Sequence, residues 1–250
     1  MATPELSAKE AVNAAQRYGY DAVSLRMHEI CGEVALNSSK EELHNIRNLF
    51  LDSGIIQGAL MCYNDMQKSN DECYRYTLDY ALRAMENAAE AGANSIRMFG
   101  DAVYIDAFCN AISEAMEKSQ TGVSIFIQNH PGNANHSQIM NSICKIDGTG
   151  LIFSPEYISE KEVYDVCEKA IPFIKEVYAT NKISKNGTET HVPLSCGEYD
   201  WKKLYKILTD EGFNDVLYIK WERVWHRELA PYSEILPMER KFFDEIKSTY

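Results

Sequence analysis

Short apolar runs rich in β-branched and aromatic residues alternate with longer segments of helical period along almost the whole chain. This alternation limits the fold more than any other feature. The runs at 21–26, 57–63, 95–99, 122–129, 150–154, 176–180 and 216–221 read as strands. The segments near 7–18, 39–52, 71–91, 102–118, 136–145, 159–171, 200–211 and 235–248 read as helices. Ser7 and Ser39 each stand three residues before a Glu, which predicts capping boxes. Gly19, Gly92 and Gly212 follow helical segments, where a left-handed cap is needed. Strands that alternate with helices pair in parallel through crossover helices.

The 250 residues suit a single (β/α)8 TIM barrel spanning 1–250, and no Pro/Gly/Ser-rich linker divides them. Only seven strands are visible, however. The first helix starts at residue 7, so residues 1–4 supply at most a stub of strand one. The expectation is a barrel whose first strand is short or missing. A doubly wound open sheet is the alternative, weakened by the lack of a glycine-rich turn after any strand.

Lys and Arg number 25 against 37 Asp and Glu, a formal charge of -12. Such a surface repels phosphate backbones and anionic lipid, which argues against nucleic-acid and membrane partners. The seven cysteines are scattered without a CxxC pair, so reduced thiols are expected rather than disulfides or zinc. No signal-like N-terminus and no 18-residue apolar run occur, which points to a cytoplasmic protein. No HExxH or GxSxG motif occurs either.

Five segments carry a resemblance. They are Tyr18–Arg26, Ala91–Gly100, Phe126-Ile-Gln-Asn-His130, Gly150–Tyr157 and Ile219-Lys-Trp-Glu-Arg-Val-Trp-His226. In order and spacing they resemble the xylose-isomerase-like sugar phosphate isomerases and epimerases. The resemblance runs from about residue 6 to the C-terminus. It implies a pocket at the C-terminal strand ends, where relatives hold a divalent cation by Glu, Asp, His and Glu. Those positions fall on Gln128, Ser154, Tyr178 and Lys220. The first match is the firmest, because Asn129 and His130 follow as in the family. A shift of two would bring Glu222 or Glu176 into play.

The four positions thus offer no carboxylate and one ammonium, so neither a metal nor any other cofactor is expected. Lys220 should sit near the cation position with Gln128, Ser154 and Tyr178 as acceptors. Desolvation there would lower its pKa and make it a nucleophile or base. His130 shares a strand face with Gln128 and is the second catalytic candidate. Arg97 suits an anionic or polyhydroxy ligand. Tyr63, Phe99, Tyr157, Trp221 and Trp225 offer rings on which a sugar can stack, and Glu222 completes the candidate binding set. His226 lies in the final loop, within reach of a ligand or a subunit interface. The expected function is a metal-free carbohydrate isomerase, epimerase or lyase. The alternatives are a sugar-binding or regulatory protein partnering an active paralogue, and an ordinary metal-dependent isomerase. A missing first strand also leaves apolar surface that a second copy can cover.

Overall fold

The computed structural model describes residues 2–185 and 187–249. Met1, part of the expected first-strand stub, lies outside the described residues, and Ala2, Thr3 and Pro4 form no strand. The chain then runs α1 (Ala8–Tyr18), β1 (Ala22–Val23), β2 (Arg26–Met27), α2 (Lys40–Ser53), β3 (Ile56–Gln57), β4 (Leu60–Cys62), α3 (Asn70–Ala91) and β5 (Ser95–Phe99). It continues α4 (Ile105–Lys118), β6 (Ser124–Gln128), α5 (His136–Asn141), β7 (Thr149–Phe153), α6 (Val163–Ala170) and β8 (Ile174–Ala179). The hairpin strands β9 (Asn181–Lys185) and β10 (Thr188–Val192), then α7 (Trp201–Asp210), β11 (Val216–Ile219) and α8 (Tyr232–Lys247), complete it. Both expected capping boxes form, at Ser7 with Glu10 and at Ser39 with Glu42. Gly19 and Gly92 end their helices at φ of 75° and 84°.

Seven strands make one sheet in the order β11-β8-β7-β6-β5-β4-β2, every pair parallel. The expected TIM barrel therefore forms without its first strand. Outward residues such as Ile96, Ile125, Ile127 and Leu151 pack under the helices in the main core. Inward residues Met61, Ile152 and Tyr178 pack with Tyr63, Phe126 and Tyr218 in a separate cluster. The split follows the period of two along each strand.

The distortion falls beside the missing strand. β1 pairs with β3 at Ala22 and Ile56, and β2 pairs with β4 at Arg26 and Met61. The offset between partners grows by one between these pairs, so Gly58-Ala59 holds an extra residue, a β-bulge. A bulge frees a main-chain donor, and here the Ala59 N–H donates to the buried Glu176 carboxyl at 3.2 Å. No strand pairing joins β11 to β1 among the described residues. Tyr218 of β11 instead reaches across to Gly58 and Ser24. A cavity of about 470 Å³ fills this seam, lined among others by Ala22, Val23, Val216, Leu217 and Phe243.

A Cβ added at Gly58 would overlap the Tyr218 hydroxyl and Ser24 Oγ. Gly58→Ala should therefore destabilise the fold by about 1–3 kcal/mol, the usual cost of overpacking a buried site. Tyr218→Phe removes the clashing oxygen and should recover part of that loss. Urea unfolding of the single and double variants measures both. Equal losses in the two would show that Tyr218 does not close the seam.

Candidate functional site

Buried, ion-paired groups converge at the C-terminal ends of the strands. The mouth holds a pocket of about 410 Å³, lined by Arg97, Gln128, His130, Glu156, Tyr157, Lys220 and Glu222, with Tyr63, Phe99 and Trp225 around them. Strand register explains the convergence. Phe99 pairs with Gln128 and Gln128 with Ile152, so the inward positions at the ends of β5, β6 and β7 lie at one level. Asn129 locks two of these ends together. Its amide donates to the Ser154 carbonyl at 2.8 Å and accepts the Ser154 N–H at 2.8 Å.

Lys220 occupies the pocket's side wall, 6% exposed. Its ammonium is ion-paired with Glu156 and, at 2.8 Å, with Glu222, and it donates to the Tyr157 hydroxyl at 2.9 Å. Three protein acceptors thus surround an ammonium that has three N–H groups. This corrects the expected partners. Gln128 and Ser154 bond to each other at 2.9 Å instead. The expected lowering of the Lys220 pKa is also overturned. Burial pushes it down, but Glu156, Glu222 and Tyr157 outweigh burial and hold it well above the usual lysine value. Its three acceptors favour the charged form.

Two further expectations are corrected. Tyr178 lies one level below the mouth, packed with Met61 and Ile152, because strand residues two apart share a face and sit at different depths. Thr180 is the β8-side residue that reaches the mouth region, 3.4 Å from His191 Nδ1. Trp221 points away from the pocket. It packs with Ile235 and Leu236 and donates its indole N–H to the Ala230 carbonyl at 2.9 Å. Its neighbours Lys220 and Glu222 face inward, so alternation sends Trp221 outward.

His130 faces inward as expected and lies between Phe99 and Tyr157, with ring centroids 4.9 and 4.8 Å away. Burial holds its pKa below the usual histidine value, opposed in part by its bond to Pro131. The contact of Nδ1 with the Pro131 carbonyl is 3.0 Å. Nδ1 also lies 3.3 Å from the Asn133 amide nitrogen; in the tautomer that donates to the Pro131 carbonyl, Nε2 is the free base. Arg97 lies at the pocket floor with its guanidinium 4.7 Å from the Tyr63 ring and 4.2 Å from the Phe99 ring.

The sequence reading missed Glu156 and the whole β9–β10 hairpin. The hairpin brings Lys182, Glu189 and His191 to the pocket wall, and His191 stands 5.3 Å from the ring of His226. Its sequence signal was the dipeptide Asn186-Gly187 between strand-like runs. Asn186 lies outside the described residues, and Gly187 has φ of 78°.

The donor set does not fit a divalent cation. Hard cations need several free anionic oxygens. Here Gln128 and Ser154 engage each other, and Glu156 and Glu222 already face an ammonium. No group of three or more His, Cys, Asp or Glu residues is arranged to hold a metal among the described residues. No helix among them is long and apolar enough to cross a membrane.

A model of the xylose isomerase-like TIM barrel family matches residues 12–241. Solved structures agree on the fold. The IOLI protein with a binding zinc atom is 16% identical, with TM-score 0.76 over 99% of this chain and 95% of its own. A xylose isomerase-like TIM barrel protein from Mycobacterium smegmatis, in complex with magnesium, is 11% identical, with TM-score 0.70 over 98% and 90%. A D-tagatose 3-epimerase-like protein is 15% identical, with TM-score 0.69 over 92% and 89%. No curated protein sequence matches.

Proposed function

Because the chain belongs to the xylose isomerase-like TIM barrel family, we propose that its mouth pocket takes a small carbohydrate and works without a divalent metal, using the Lys220 ammonium as its fixed positive charge. One observation carries this reading: Lys220 is held between Glu156 and Glu222 at the mouth pocket, on a position that the resemblance aligns with a metal ligand of the relatives. The D-tagatose 3-epimerase-like protein among the fold neighbours favours a carbohydrate, as do the Tyr63, Phe99, Tyr157 and Trp225 rings.

The chemistry that these groups support is proton transfer next to a carbonyl. His130 Nε2 takes a proton from carbon, and the C–H electron pair moves through to the carbonyl oxygen. The enediolate oxygen so formed faces the Lys220 ammonium and the Tyr157 hydroxyl. The Tyr157 oxygen accepts from Lys220, so its own O–H is left to donate. His130 returns the proton. A second reading is binding without turnover. It is favoured by the three protein acceptors that already surround the Lys220 ammonium.

The test is a thermal-shift panel of aldoses and ketoses, run with and without EDTA and followed by turnover assays. Under this proposal a ligand-induced shift persists in EDTA. Turnover that is lost in His130→Asn, while the shift is kept, identifies the enzyme. A shift without turnover identifies the binder. A stoichiometric divalent metal on which ligand binding depends would overturn both.

A further inference from the structure

The charges around the pocket are not evenly matched. Lys220 faces both Glu156 and Glu222, and Lys182 is ion-paired with Glu189. Arg97 is left alone: it is 1% exposed and makes no ion pair among the described residues, and its Nε and Nη1 have no hydrogen-bond partner. The carboxyl below it, Glu176, accepts from Ala59 with one oxygen while its other oxygen has no partner, and burial favours its neutral form. The pocket is therefore a dipole, with excess negative charge at the Lys220 group and excess positive charge at Arg97.

A buried guanidinium without an anion or a full set of acceptors is costly, and a planar carboxylate is the partner that matches its paired N–H groups. The pocket reaches Arg97, so a small anion entering there can supply what the protein does not. Water can fill the hydrogen bonds but leaves the charge uncompensated. At the other end, Glu156 and Glu222 accept from hydroxyl groups. A ligand that suits both ends carries a carboxylate on a polyhydroxy chain.

We propose that Arg97, held between Tyr63 and Phe99, is the binding group for a ligand carboxylate, so that the pocket selects sugar acids over neutral sugars. This rests on the reading of the pocket as a carbohydrate site and narrows it to a charge class.

Calorimetric titration with matched pairs tests the proposal: gluconate against sorbitol, and glucuronate against glucose, with glucose 6-phosphate as the phosphate arm. Each acid should bind the unmodified protein at least about tenfold more tightly than its neutral partner, the scale of a charged hydrogen bond. Arg97→Met should abolish that advantage, and Arg97→Lys should retain part of it. Equal binding of acid and neutral partners in the unmodified protein overturns the proposal, as does an acid preference that survives Arg97→Met. Tighter binding of the phosphate ester than of either acid also overturns it. Sugar binding that needs Lys220 but is equal for each acid and its neutral partner would sink this inference and leave the carbohydrate site standing. Acid binding that needs Arg97 and ignores Lys220 would leave this inference standing and overturn the role given to Lys220, and no binding by any probe would sink both.

Discussion

Lys220→Met should lower the unfolding free energy by about 3–5 kcal/mol at pH 8, the cost of removing one partner from a buried ion pair, and by clearly less at pH 5. The reason is what the substitution leaves behind. Glu156 and Glu222 are 2% and 6% exposed, and both face one ammonium. Without it, two carboxylates share a poorly solvated wall, and the cheapest relief is to bind a proton. The folded variant then holds a proton that the unfolded chain releases above a pH of about 4.3, so its stability falls as pH rises. In the parent protein the Lys220 pKa is raised. Its contribution is therefore present at all pH values below the ordinary lysine range and is lost only as pH rises above it. The gap between variant and parent should widen from pH 5 to pH 8. Adding Glu156→Gln and Glu222→Gln should restore most of the loss at pH 8. A loss under about 1 kcal/mol, the scale of a solvated surface pair, or one equal at both pH values, would mean that Lys220 is not the buried centre of this group.

The barrel was legible because its signals are local. The seven parallel strands follow from β-rich runs, and the helices from their period and from caps at Ser7 and Ser39. The inward direction of His130 followed from its spacing to Gln128, since alternation needs no tertiary knowledge. Depth was not legible. Tyr178 has the right parity but the wrong level, because level depends on how each strand is staggered against its neighbours. Glu156 was missed for a related reason. It lies beyond the end of β7, in a 3-10 turn, where no period predicts direction. The Lys220 pKa was misjudged because burial was weighed without the two carboxylates that accompany it. That pairing joins residues 64 positions apart, and only the folded chain brings them together.

Two carboxyls that the site does not use predict a second pH effect, opposite in origin to the first. Glu239 on α8 is 1% exposed. It accepts the Leu194 N–H at 3.0 Å through one oxygen, and the other oxygen has no partner. Burial pushes its pKa up to about 7, against the single bond from Leu194. Glu176, inside the barrel, is likewise pushed up to about 7 by burial, with Ala59 and Arg97 pulling the other way. A carboxyl whose folded pKa is raised contributes stability fully below its unfolded value of about 4.3. That stability is lost as pH climbs through 7. Glutamine has the shape of the protonated acid but cannot ionise. Glu239→Gln should therefore leave stability at pH 4 nearly unchanged and raise it at pH 8 by up to about 3 kcal/mol. Glu176→Gln should gain less, because its ionised form is attracted by Arg97 and the glutamine gives that up. Guanidinium unfolding of both variants across pH 4 to 8 reads the difference directly. A Glu239→Gln variant whose stability tracks the parent at every pH would show that this carboxyl is ionised in the fold and finds a partner there.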